Sequence, residues 1–498
     1  MSHRESQAET GDVPSETTPL LPEVSENRQA RTPVRIRGIL IVAVLFYTRS
    51  FTHQQLSILV RFFCHGESTC PGNVDQLIAI IAPVGVFISI LMTGFWTRMS
   101  DIRGRKVVLT FISAGMLLLD LVLAIVTFVS PFPKTFVIMH IVGTLVQSIF
   151  GGIMTVNALA HSYIADGRPY DKRAICFSFL DGIKMLAAYL ANIPFVLTTG
   201  KSQVIPVLHI FAVVISTILL LGIICCLEES LLELPDSTVP LLADAKESLK
   251  GLLSPITIFI AGGGHRQQEL FLVGLSVLAY SFIEGSHLYE IFVVAWSYEW
   301  SEFTIFMVIE PNVLLVSYLV IIPIILYLSR RVHCVRERTA SEILISRGIN
   351  YLHIICAILA LAIPHVIGYI LFGIVLPGLV AGIFPLLYTI GSIYYELDHS
   401  VTHTGTLYGA LAAVQSLGGV LPALIFRTSL YSSNPSGYFS YIIRGVRLAC
   451  LVIVAVLLCF PGAQNPIVEM APDESSAPRA DVDSDAAGRV RLQRSRAQ

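Results

Sequence analysis

The chain alternates long apolar runs with short polar breaks, and the runs set the reading. Each is about 20 residues long, which at 1.5 Å per helical residue spans the hydrocarbon core of a bilayer. Twelve such runs can be marked: Ile36–Val60, Leu77–Trp96, Val107–Val129, Thr135–Ala160, Ala174–Leu197, Val204–Leu227, Leu270–Ala295, Phe303–Ser329, Ile349–Tyr369, Leu371–Tyr395, Thr406–Phe426 and Tyr441–Phe460. The ninth and tenth nearly merge, with Pro364, His365 and Gly368 marking the turn between them. Six runs precede Glu228, a polar stretch of about 40 residues follows to Gln268, and six more runs come after it. The pattern predicts an all-α membrane protein of about twelve transmembrane helices in two six-helix bundles. The bundles take residues 36–227 and 269–460, joined by a linker at 228–268. Two halves around a central site is a transporter layout.

Composition agrees. Apolar residues make up 54% of the chain and charged residues 14%, against about 25% charged in a typical soluble domain. Net charge is −2, so nothing points to nucleic acid. Residues 1–35 and 461–498 are polar and rich in Ser, Pro and acids, and are read as disordered tails. The first apolar run follows a polar tail and is too long for a signal-peptide core. Arginines and lysines cluster at 28–37, 98–106, 168–173 and 330–347. This bias places both termini in the cytosol, in a plasma or a vacuolar/endosomal membrane. Arg427, Arg444 and Arg447 break the rule, falling in what reads as an outer loop. Cys64 and Cys70 share the first outer loop and would form a disulfide if it faces an oxidising lumen. Glu16, Leu20 and Leu21 fit an acidic dileucine pattern that a sorting adaptor would read. The segment 244–253 in the linker is amphipathic and is expected on the membrane surface.

Charged side chains inside apolar runs cost about 2.5–3.5 kcal/mol each at the bilayer centre, so they are functional candidates by default. Arg49 and His53 share a face of the first span at i and i+4 and suit an anionic substrate or a proton step. Asp181 and Lys184, at i and i+3 in the fifth, can form an internal ion pair. Glu284 and His287 in the seventh form a candidate proton relay, with Glu290 at the rim, and Glu310 stands before Pro311 in the eighth. Asp120 in the third is a candidate partner for Arg49 or a cavity residue. His140, Gln147, Asn157 and His161 form a polar stripe on the fourth span, and Gln415 marks the eleventh. Gly151 and Gly152 are read as allowing close helix approach. No phosphate-binding glycine loop, nucleophile set or cofactor motif is present, so neither ATP hydrolysis nor an enzyme is indicated.

Four short segments carry a resemblance. Ser100-Asp101-Ile102-Arg103-Gly104-Arg105-Lys106 is similar to the loop signature of the major facilitator superfamily. Ser162-Tyr163-Ile164-Ala165-Asp166, followed by Arg173, resembles its fourth-to-fifth-span run. Glu229-Ser230-Leu231 resembles the end of its sixth span, and Lys250–Pro255 its linker motif. The chain most resembles a fungal branch similar to tetracycline-type drug/proton antiporters and the proton-coupled folate transporter group. The resemblance implies the major facilitator fold and a latch of Asp101, Gly104, Arg105, Lys106, Asp166 and Arg173. In it Asp101 would meet a helix end of the opposite half, and Arg105 would pair with Asp166. Thr97 stands where the signature has Gly, which predicts a looser contact there. The function expected is secondary transport of a small organic molecule, proton-coupled because titratable groups lie within spans. Efflux of a drug or metabolite is the first reading and import of a nutrient or vitamin-like organic anion the second. A non-transporting membrane sensor is the alternative of another class.

Overall fold

The computed structural model describes residues 38–50, 74–129, 133–198, 205–231, 241–260, 265–296, 309–332, 338–363, 368–398, 404–430 and 437–459. His53, Cys64, Cys70, Glu16, Leu20 and Leu21 lie outside them.

The first half comprises α1 (Gly38–Ser50), α2 (Val74–Arg103), α3 (Arg105–Val129), α4 (Pro133–Ile149), α5 (Gly152–Asp166), α6 (Tyr170–Thr198) and α7 (Ile205–Cys226). The linker carries α8 (Leu241–Leu249), a 3₁₀ turn (Lys250–Leu253) and α9 (Ser254–Ile260). The second half comprises α10 (His265–Trp296), α11 (309–316), a π-helical stretch (Ser317–Ile321) and α12 (Ile322–Val332). It continues with α13 (Arg338–Ala362), a second π stretch (Tyr369–Val375), α14 (Leu376–Leu379), α15 (Ile383–Asp398), α16 (Thr404–Leu430) and α17 (Gly437–Cys459). Among the described residues ten helical spans are long and apolar enough to cross a membrane, α1 and α2 aside.

The faces confirm what the apolar runs demand. On α3, Ile112 and Met116 are buried while Leu118, Ile125 and Phe128 are exposed. On α7, Ile223 is buried while Ile218 and Leu221 are exposed. Large apolar side chains covering an outer surface need a lipid environment. Within the first half α3 packs on α7, and α2 on α4 and α5; within the second α10 packs on α16 and α17, and α13 on α17. The halves meet where α2 and α5 lie on α16, and α6 on α15 and the first π stretch.

Several boundaries differ from the sequence reading. The fourth span is not continuous: it breaks between α4 and α5 at Gly151 and Gly152, with φ +80° and +61°. Glycine tolerates that left-handed region at no steric cost. The ninth span starts at Arg338 rather than Ile349, so Arg338 and Arg347 are helical and not in a loop. Arg347 Nε donates to Leu458 O at 2.7 Å, tying α13 to the end of α17. Arg444 and Arg447 lie in α17 and not in an outer loop. The linker docks on α2 rather than presenting its polar face alone: Arg98 meets Glu247 at 2.9 Å and Arg103 meets Asp244. Gly251 sits where a Cβ would come within 3.3 Å of Gly94 O, so the two backbones touch.

Candidate functional site

The residues expected to form a latch converge at one end of the half-to-half interface. Gly104 takes φ +99° and turns α2 directly into α3. That puts the two N-terminal N–H groups of α3, on Arg105 and Lys106, against the Glu229 carboxylate at 2.8 and 3.0 Å. A carboxylate there is favoured by orphan N–H groups and by the helix dipole. Arg105, fully buried, donates to Asp101 at 2.5 Å, to Asp166 at 3.1 Å and to Thr404 Oγ1 at 2.8 Å. Asp101 in turn accepts the backbone N–H groups of Gly405 and Thr406 at 2.9 and 2.8 Å, capping α16 of the opposite half. Asp166 also accepts from Ser230 and from Thr404, both at 2.9 Å. Arg173 crosses the same interface to Glu396 at 2.6 Å and Ser392 at 3.2 Å. The side chain of Lys106 is not part of this network; its backbone is.

The contact at Thr97 is tight, contrary to the expectation. Thr97 is fully buried and donates back to Thr93 O at 2.7 Å. The small residue has moved to the partner helix: a Cβ on Gly409 would lie 2.4 Å from Thr97 Oγ1. Close approach needs one glycine at the crossing, on either helix.

A cavity of about 400 Å³ opens elsewhere on the same interface. It gathers Asp181 and Lys184 from α6, Glu284 and His287 from α10, and Glu310 from α11. Lys184 pairs with Asp181 at 2.6 Å, and His287 Nε2 lies 3.7 Å from Glu310. Glu284 is open to the cavity space. Sequence reasoning missed the other charges here. Arg444 and Arg447 of α17 line the wall. Arg444 is held by Ala360 O at 3.0 Å and stacks over the Tyr369 ring at 4.9 Å. The signal was present as a violation of the positive-inside bias, three residues apart on one helix face. His353 was missed too. It faces the cavity between Tyr280 Oη at 2.8 Å and Pro377 O at 3.0 Å. The carbonyl accepts from Nε2, so Nδ1 accepts the tyrosine proton. Both π stretches contribute lining residues, Tyr318 and Phe372 among them, and π-bulges often mark functional positions.

Of the polar stripe on the fourth span, His161 packs among Phe177, Tyr388 and Tyr408 with ring centroids 4.7–6.1 Å away, linking the halves. Its Nδ1 bonds Asn157 O at 2.8 Å. Tyr388 Oη donates to Gln415 at 2.9 Å, and Gln415 reaches the cavity. Asp120 accepts from Ser216. Arg49 is buried away from the cavity and bonds Gln147 O at 3.1 Å.

No protein-family model and no curated relative matches the sequence. Solved structures do match in shape. The human organic anion transporter MFSD10 (TETRAN) superposes with TM-score 0.61 at 16% identity, covering 86% of this chain and 100% of that one. A bacterial homologue of the iron transporter ferroportin in an outward-facing state gives 0.59 at 15%, covering 85% and 98%. The major facilitator superfamily transporter FucP in an outward conformation gives 0.58 at 11%, covering 84% and 97%. The chain therefore has the major facilitator fold, a membrane-spanning pair of helical bundles.

Proposed function

We propose that the protein is a secondary active transporter that carries a small organic anion together with a proton. The observation behind this reading is the charge balance of the cavity. Its lining holds three acids, Asp181, Glu284 and Glu310, and three fixed or strong bases, Lys184, Arg444 and Arg447. Lys184 and Asp181 neutralise each other at 2.6 Å. The remaining carboxylates, with His287 beside Glu310, offset the two guanidinium groups. Protonating Glu284 or Glu310 leaves the guanidinium groups in excess and favours an anion; losing the proton restores neutrality and favours release. Proton and anion then bind in support of each other, which is symport. Apolar lining from Leu314, Ile374 and Phe384 suits an organic body on the anion. The first sequence reading, efflux by antiport, requires competition between proton and cargo, and this balance of charge favours the second. Two matched structures carry supporting descriptions, an organic anion transporter and an E. coli fucose:proton symporter, the latter at TM-score 0.54 and 11% identity.

The latch end closes the cavity on the side of the loops rich in basic residues, which the positive-inside bias puts in the cytosol. On this reading the state is outward-facing, and Asp101 and Arg173 would hold the cytosolic end shut. The test uses proteoliposomes. An inward proton gradient should accelerate anion uptake, and Glu284→Gln should abolish the acceleration while leaving anion exchange at zero gradient. Acceleration by an outward gradient instead would establish antiport and sink the symport reading.

A further inference from the structure

The break in the fourth span has a cation beside it that the cavity does not use. Arg49 is 1% exposed. Its Nη2 donates to Gln147 O in the last turn of α4, but Nε and Nη1 are buried with no hydrogen-bond partner. Asp120 is the acid whose field reaches it, yet no carboxylate oxygen lies within 4 Å among the described residues. A buried guanidinium using one of its five N–H groups carries a large desolvation cost.

The same spot holds the start of α5. A Cβ on Gly152 would lie 3.7 Å from Arg49 Nη2, so the guanidinium rests against that helix end. Gly151 caps α5 with no side-chain bond, leaving the first-turn N–H groups of Gly152, Ile153 and Met154 as orphan donors. Two carbonyls of the break are already engaged. Ile149 O takes Trp96 Nε1 at 2.9 Å, and Gly151 O takes Thr155 Oγ1 at 2.9 Å and Thr93 Oγ1 at 3.4 Å. Donors are in surplus, and the positive end of the helix dipole adds to the guanidinium charge rather than offsetting it.

We propose that this break is a binding site for a small inorganic anion, of chloride size, held by Arg49 and the first turn of α5. Size follows from the packing. A Cβ on Gly152 would fall 2.8 Å from Ser89 Oγ, and one on Gly151 1.9 Å from Thr155 Oγ1. Walls this close exclude an organic carboxylate with its substituents, which limits the proposed ligand to the smallest class, a single-atom anion. The site is separate from the transport cavity, since neither Arg49 nor Gly152 lines it. A bound anion would neutralise Arg49 and tie α1 to both pieces of the fourth span, so halide would set the stability of the first half.

The full chain in detergent is titrated with chloride against gluconate at constant ionic strength. A saturable rise in melting temperature is expected, about 3 °C at a hundredfold excess over Kd. Arg49→Gln should abolish the rise, and Lys250→Gln in the linker should keep it. A wild-type melting temperature that ignores halide overturns the site, as does a full rise in Arg49→Gln. Should Arg49→Gln not fold, Asp120→Asn decides. Removing the acid that competes for the guanidinium should lower the half-saturating chloride concentration several-fold, and an unchanged value counts against the site. The readout is melting and not transport, so this result stands apart from that of the symport test.

Discussion

Arg105 shows how much one side chain can organise. It holds Asp101 and Asp166 together in a buried site, and Asp101 spends its other bonds on the end of α16 across the interface. Removing one member of a buried ion pair commonly costs about 3–5 kcal/mol. Asp101→Asn keeps an acceptor for α16 but loses the charge, so the chain should still reach the membrane while transport falls at least about tenfold, a 1.4 kcal/mol effect. Surface expression alongside uptake measures both, and wild-type flux in the mutant would remove Asp101 from the latch. The pairing of Arg105 with Asp166 and the helix end facing Asp101 were legible from the signature itself. Thr97 was read from the same signature and came out wrong in its consequence, because the compensating Gly409 stands about 300 residues away and only packing reveals it.

At the scale of elements, glycine position separates backbone need from backbone cost. Gly151 sits at φ +80°, and a Cβ there would also strike Thr155. Gly151→Ala should destabilise by about 1–2 kcal/mol from the left-handed conformation alone, with the clash adding to it. Gly348, in the middle of α13, meets nothing within 4 Å. Gly348→Ala should stabilise by about 1 kcal/mol, the ordinary helix-propensity gain. Thermal melting of the two variants should therefore move in opposite directions, and a common direction would contradict the broken-helix geometry. The break itself was invisible to hydropathy, since a π or left-handed turn leaves the apolar run unchanged. The amphipathic character of the linker was legible, but its partner was not: charge pairs with Arg98 and Arg103 decide that it docks on α2.

Across the whole molecule, the two halves are joined by polar contacts at one end and lined by a charged cavity elsewhere on their interface. Arg173 and Glu396 make one such contact, both side chains almost fully buried. Reversing either charge should abolish transport, and reversing both (Arg173→Glu with Glu396→Arg) should restore part of it. If the double variant is no better than the worse single one, the pair does not act as a unit. The cavity was half legible. Asp181, Lys184, Glu284, His287 and Glu310 were readable because ionisable groups within apolar runs are costly and therefore sparse. Arg444 and Arg447 were not, because the charge bias counted them with the outer loop although the twelfth apolar run, Tyr441–Phe460, already held them.

The run of apolar segments was enough to establish a helical membrane protein in two halves, because bilayer thickness and the need to satisfy every backbone group within a segment leave few solutions. It also named most of the costly charges. What the sequence could not supply was partnership: which helix faces Thr97, which helix of the opposite half offers the end that Asp101 caps, where Arg444 points, and that Arg49 lies at a helix break outside the cavity. Those depend on contacts between residues far apart in the chain, and periodicity along one helix carries no information about the surface that another helix brings to it.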